Sequence, residues 1–117
     1  MYPIIWHNQN CSTSRKTLDL LESKYDTVFK RNYLTQAPSP AELEEVLKKM
    51  NQPATYILRK KDAVYIEKYS DKNLTNEEWT EAMSLHPSMI ERPIVIFEES
   101  AYLARPFAVF EVIMKAL

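Results

Sequence analysis

Residues 3–15 of the chain read Pro-Ile-Ile-Trp-His-Asn-Gln-Asn-Cys-Ser-Thr-Ser-Arg. The first residues of this stretch are rich in β-branched and aromatic side chains, which favour a short buried strand ending at His7. A polar turn follows, and from about Thr13 to Tyr25 the leucines recur at helical spacing. Cys11, the only cysteine of the chain, is therefore expected where a strand passes into a helix.

Further elements are predicted on the C-terminal side of this stretch. Residues 27–30, Thr-Val-Phe-Lys, predict a second short strand, and a strand-helix-strand order favours parallel pairing of the two strands. A capping box beginning at Ser39, with proline in the first helical position, predicts a helix to about Met50. A second capping box, beginning at Thr75, predicts another helix that Pro87 ends.

The last third of the chain predicts two strands, at 93–97 and 101–104, joined as an antiparallel hairpin. A C-terminal helix is expected after Pro106. Its apolar face is expected to carry Phe107, Phe110, Val112, Ile113 and Leu117. The order β-α-β, helical insertion, β-β-α is that of an α/β thioredoxin-like fold, in which the functional cysteine lies between the first strand and the first helix. We expect residues 1–117 to form a single domain of this kind.

Composition excludes several classes of function. The chain has 117 residues and no glycine, and nucleotide-binding loops need glycine for close approach of the backbone to phosphate. A formal net charge of −1 gives no general attraction to nucleic acid or to an anionic membrane. No apolar run is long enough to span a bilayer, and the N-terminus lacks a basic signal region. We expect a cytoplasmic protein without a metal or a bound cofactor.

Several features around Cys11 favour a reactive thiolate. A helix N-terminus stabilises an anion, His7 and Arg15 flank the turn, and neighbouring hydroxyls can donate hydrogen bonds. Such surroundings lower a cysteine pKa from about 8.5 to roughly 3.5–7.5. Ser14 stands where a dithiol oxidoreductase would need a resolving cysteine. A Cys-x-x-Ser motif cannot close its own disulfide, so an external thiol must complete any redox cycle.

The pattern His7-x3-Cys11-x3-Arg15 resembles the signature of arsenate reductases of the class coupled to glutathione and glutaredoxin. The resemblance continues in order along nearly the whole chain. It is carried by residues 56–61, 86–87, 89–96 and 103–106.

This resemblance implies an arsenate pocket built from Arg59, Arg92 and Arg105, with a lesser electrostatic role for Arg15. Planar guanidinium groups bind tetrahedral oxyanions bidentately, which agrees with that assignment. The step from Arg92 to Pro93 also resembles the cis-proline step of the family.

The same resemblance implies the roles of the catalytic residues. Cys11 would attack arsenate, His7 would tune the thiol pKa, and Ser14 would hydrogen-bond the thiolate. Glutathione would act as co-substrate and glutaredoxin as protein partner, and arsenite would be the product.

Two other functions stay open. A glutathione-linked monothiol oxidoreductase without arsenate activity would also carry Cys-x-x-Ser. A regulator of the Spx type, which binds RNA polymerase, shares the fold but generally uses a Cys-x-x-Cys switch that Ser14 removes. A cysteine phosphatase is disfavoured, because its anion-binding loop bears glycine.

Overall fold

The computed structural model describes all residues from Met1 to Leu117. Its contacts divide the chain into two compact units. The first unit joins Met1–Tyr33 to Arg92–Leu117, and the second is Leu34–Glu91. The expectation that the whole chain forms one domain stays a prediction.

The first unit contains a four-stranded sheet. Its strands are β1 (Ile4–Trp6), β2 (Phe29–Arg31), β3 (Ile94–Ile96) and β4 (Ala101–Leu103). The order across the sheet is β2-β1-β3-β4. Strand β1 is parallel to β2 and antiparallel to β3, and β3 and β4 form an antiparallel pair. These pairings confirm the predicted β-α-β order and C-terminal hairpin, although β2 begins two residues later than predicted.

Two helices complete this unit, α1 (Ser12–Lys24) and α4 (Phe107–Ala116). Together with the sheet they form an apolar core. Its fully buried members are Ile5, Leu21, Val95, Ala104, Phe110 and Met114. Ile5 of β1 and Leu21 of α1 both belong to this core, which therefore anchors the two elements that the turn carrying Cys11 connects.

The predicted apolar face of α4 was partly wrong. Val112 is 67% exposed and Leu117 is 62% exposed, whereas Phe110 and Met114 are buried. Residues four apart lie on the same face of a helix, so Phe110 and Met114 point together into the core. Val112 follows Phe110 by only two positions and therefore lies on a different face, and Leu117 lies beyond the last helical residue.

The second unit is built around two helices, α2 (Pro40–Met50) and α3 (Asn76–Leu85). Both begin with the predicted capping boxes, in which side chain and backbone bond reciprocally at Ser39 and at Thr75. Helix α2 is capped at its C-terminus by Asn51, which adopts a left-handed conformation with φ of 55°. These local signals predicted both helices correctly.

Three short helical turns of the second unit were not predicted. Two are 3₁₀ turns, Ala54–Ile57 and Pro87–Met89, and the third is a π-helical turn, Tyr65–Tyr69. The rings of Tyr65 and Tyr69 pack near Trp79 of α3, with ring centroids 6.1 and 5.9 Å away. No helix of the chain is both long enough and apolar enough to cross a membrane.

Candidate active site around Cys11

Cys11 occupies the N-cap position of α1, as the sequence predicted. Its backbone is extended, with φ of −104° and ψ of 122°, and its own N–H donates to the carbonyl oxygen of Asn8 at 3.0 Å. Only 7% of the residue is exposed. The backbone N–H groups of Thr13 and Ser14 face the sulfur without closing a full capping hydrogen bond. The thiol therefore lies at the positive end of the helix dipole.

The surroundings of Cys11 favour the thiolate. Burial raises the pKa of Cys11. This effect is outweighed by a hydrogen bond from the Arg92 side chain, the N–H of Ser14, the positive charge of Arg92 and the N–H of Thr13, all of which lower the pKa. The net pKa lies below the ordinary value for cysteine. Because the thiolate is the nucleophilic form of the side chain, these contacts increase its reactive fraction near neutral pH.

Arg105 is the second arginine beside the sulfur. Its Nη2 donates to Cys11 Sγ at 3.5 Å, and its Nε donates to the carbonyl oxygen of Arg92 at 2.6 Å. Arg92 and Arg105 each precede a proline with a cis peptide bond, so the cis state that the resemblance implied at Pro93 is present. The first unit thus brings two of the three predicted pocket arginines to the thiol.

Ser14 is fully buried, and its hydroxyl joins strand β1 to helix α1. The Oγ atom accepts a hydrogen bond from the N–H of Asn8 at 3.0 Å and lies 2.7 Å from Nδ1 of His7. The hydroxyl therefore bonds to His7, and it is the backbone N–H of Ser14 that faces the Cys11 thiol.

His7 is held mostly in its neutral form at neutral pH. Burial lowers the pKa of His7, and the charge of Lys30 lowers it further; Glu22 opposes this shift, and Arg15 adds to it. A neutral ring whose Nδ1 is unprotonated can accept a hydrogen bond from the Ser14 hydroxyl. The geometry therefore connects His7 to the active-site turn through Ser14.

Arg15 is exposed on the first turn of α1. Its Nη1 donates to the carbonyl oxygen of Gln9 at 2.8 Å. The guanidinium group is thus attached to the turn that carries Cys11.

Arg59 belongs to the second unit and has its own partners there. Its Nη1 lies 3.6 Å from Oδ1 of Asp62, and its backbone N–H donates to the carbonyl oxygen of Met89 at 2.7 Å. Asp62 is buried, and its Oδ2 accepts hydrogen bonds from the N–H groups of Val64 and Tyr65. The sequence analysis missed Asp62; the available signal was an acidic residue three positions after the arginine, close enough to form an ion pair across a tight turn.

No group of three or more His, Cys, Asp or Glu side chains in the chain is arranged to hold a metal ion. The reactive group of the site is the Cys11 sulfur, and the charged groups beside it are the side chains of Arg92 and Arg105.

The fold and the site define a class of thioredoxin-like proteins in which a cysteine lies at the N-terminus of the first helix, and in this chain two arginine side chains lie beside it. Within that class the chain belongs to the ArsC family, whose model matches residues 6–113.

Two relatives and one solved structure illustrate the similarity. The chain is 39% identical to an arsenate reductase of Haemophilus influenzae over 108 residues, covering 91% of this chain and 93% of that protein. It is 35% identical to an arsenate reductase of Neisseria meningitidis over 112 residues, covering 94% and 96%. The structure of an arsenate reductase from Vibrio cholerae superimposes with a TM-score of 0.86 at 33% identity, covering 98% of this chain and 97% of that one.

Proposed function

We propose that this protein is an arsenate reductase in which Cys11 is the nucleophile and glutathione and glutaredoxin supply the electrons. The observation that carries the proposal is the placement of two guanidinium groups, from Arg92 and Arg105, on a thiol of lowered pKa. Proteins that are similar to nearly the full length of this chain are named arsenate reductases, which supports the same substrate.

In the first chemical step the Cys11 thiolate attacks the arsenic atom of arsenate. A sulfur–arsenic bond forms and one oxygen leaves as water after protonation. Arg92 and Arg105 neutralise the charge of the remaining oxygens, an electrostatic effect that is strongest when donors are oriented in advance. Arg59 is proposed as the third anion ligand, and this assignment rests on the family resemblance.

In the second step a glutathione thiol attacks the adduct. Cys11 and glutathione together give up two electrons and become a mixed disulfide, arsenic(V) becomes arsenic(III), and arsenite leaves. Ser14 replaces the second cysteine that would otherwise resolve this disulfide. Glutaredoxin then takes over the glutathione by thiol–disulfide exchange and regenerates the Cys11 thiol. We place the reaction in the cytoplasm, where small thiols are kept reduced.

The test is an assay of arsenite formation by the purified protein with arsenate, glutathione and glutaredoxin. Wild type is expected to turn over, and Cys11→Ser is expected to show no activity above background. Lys115→Ala, which removes an exposed charge from the last turn of α4, is the matched control and should retain wild-type activity. Absence of turnover by the wild-type protein would refute the proposal.

The second candidate is a glutathione-linked monothiol oxidoreductase, favoured by the Cys-x-x-Ser motif itself. It predicts a glutathione mixed disulfide at Cys11 and reduction of glutathionylated substrates without arsenite production. Mass spectrometry of the protein after exposure to oxidised glutathione, combined with the arsenite assay, distinguishes the two candidates.

A further inference from the structure

We propose that Arg15 is a positioning residue that holds the turn carrying Cys11, through its hydrogen bond to the Gln9 carbonyl, and that it does not bind the substrate. The family resemblance implied a lesser electrostatic role for Arg15 in substrate binding, so this inference changes its role. It rests on the proposed function only in taking Cys11 as the nucleophile.

The turn is fastened at its beginning by three hydrogen bonds that all involve Asn8. The N–H of Asn10 donates to Oδ1 of Asn8 at 3.0 Å, and the N–H of Cys11 donates to the carbonyl oxygen of Asn8 at 3.0 Å. The N–H of Asn8 donates to the buried Oγ of Ser14 at 3.0 Å. These contacts fix the start of the turn and its last residue.

The middle of the turn depends on Arg15. The carbonyl oxygen of Gln9 accepts from Nη1 of Arg15 at 2.8 Å, and none of the three contacts at Asn8 reaches it. Gln9 and Asn10 are exposed, and neither is a proline whose ring would restrict the backbone. A side-chain donor therefore supplies the constraint, and Nη1 of Arg15 is the atom that provides it.

The constraint matters because the direction of the Cys11 side chain is set by this turn. Burial raises the pKa of Cys11, and Arg92 and the N–H groups of Ser14 and Thr13 lower it. Arg15 is not among these groups, and its guanidinium group is bonded to the Gln9 carbonyl. We therefore expect Arg15 to act on the sulfur mainly through the position of the turn.

The test compares Arg15→Met with Lys16→Met. Lys16 is the neighbouring exposed residue of α1, so both variants remove one positive charge from the same helical turn, and only Arg15→Met removes the bond to Gln9. Cys11 is the only cysteine, so the pH titration of thiolate ultraviolet absorbance reports its pKa once the same titration of Cys11→Ser has been subtracted to remove the signal of the seven tyrosines. Arg15→Met is expected to move the midpoint upward by about half a pH unit, roughly a threefold loss of thiolate below the midpoint. Lys16→Met should leave it in place.

An unchanged midpoint in Arg15→Met, or an equal shift in both variants, would overturn the inference. A kinetic measurement with arsenate adds a second criterion. A positioning role lowers kcat with little change in KM, whereas loss of a substrate ligand raises KM. If the wild-type protein does not reduce arsenate, the proposed function fails, but the thiolate titration still decides the role of Arg15.

Discussion

Arg105 contacts Cys11 and Arg92 with different atoms of one guanidinium group. Nη2 lies 3.5 Å from the sulfur, while Nε donates to the Arg92 carbonyl at 2.6 Å. The second bond fixes the plane of the guanidinium group, so the first does not depend on a freely rotating side chain. Arginine is suited to this arrangement because its donors form a rigid fork.

Arg105→Lys is expected to lower kcat/KM for arsenate roughly tenfold, since about 1.4 kcal/mol corresponds to one decade and a lost charge-assisted bond is worth about that or more. Lysine keeps the positive charge, but its single ammonium cannot reproduce the planar fork. Steady-state kinetics against Lys115→Arg, a change at an exposed position, provides the comparison. Wild-type kinetics in Arg105→Lys would show that charge alone is sufficient.

Arg92→Ala is expected to raise the pKa of Cys11 by about one unit, because it removes a hydrogen bond to the sulfur and a nearby positive charge. The pKa rises because a thiolate that is less stabilised forms only at higher pH. The rising limb of the pH–rate profile and the thiolate titration should therefore move together to higher pH. A profile that stays in place would show that Arg92 does not stabilise the thiolate.

Ser14→Ala is expected to lower the free energy of unfolding by about 1–3 kcal/mol, because it removes the hydroxyl that accepts from the N–H of Asn8. The backbone N–H that faces Cys11 remains in the variant, so the thiol pKa should change little. Urea unfolding and thiolate titration measure the two effects separately. Ser12→Ala, at an exposed position, should change stability by no more than about 0.5 kcal/mol.

Acidification is expected to destabilise the protein through His7. The pKa of His7 in the folded protein lies below its ordinary value of 6.5, so the unfolded chain binds the proton more readily. The stability of the folded protein is not reduced by His7 above pH 6.5, and it decreases as the pH falls from 6.5 through the lower pKa that His7 has in the folded protein. Unfolding measured over this range should show a decline that is smaller in His7→Gln. An identical decline in both proteins would contradict this assignment.

Features encoded by near neighbours in the chain could be predicted from the sequence. The capping boxes at Ser39 and Thr75 depend on residues three positions apart, and both helices begin where those residues indicate. The alternation of strand, polar turn and helix placed Cys11 correctly at the N-cap of α1. In each case the physical cause is local hydrogen bonding or local periodicity.

Features that depend on long-range packing could not be predicted in the same way. Arg105 and Cys11 are 94 positions apart, and only the resemblance to a family suggested that they meet. The hydroxyl of Ser14 bonds to His7 because the turn between β1 and α1 brings the two side chains together, and the spacing of the two residues does not reveal this. Val112 was misplaced since apolar character alone does not say which face of α4 meets the sheet.

The absence of glycine also affects the unfolded chain. Without glycine, and with seven prolines, the unfolded backbone has fewer conformations available than a chain of ordinary composition. In the folded protein Asn51 is the one residue with positive φ, so the fold needs little of the backbone freedom that glycine would provide. The smaller loss of backbone entropy on folding favours the native state without requiring any additional contact.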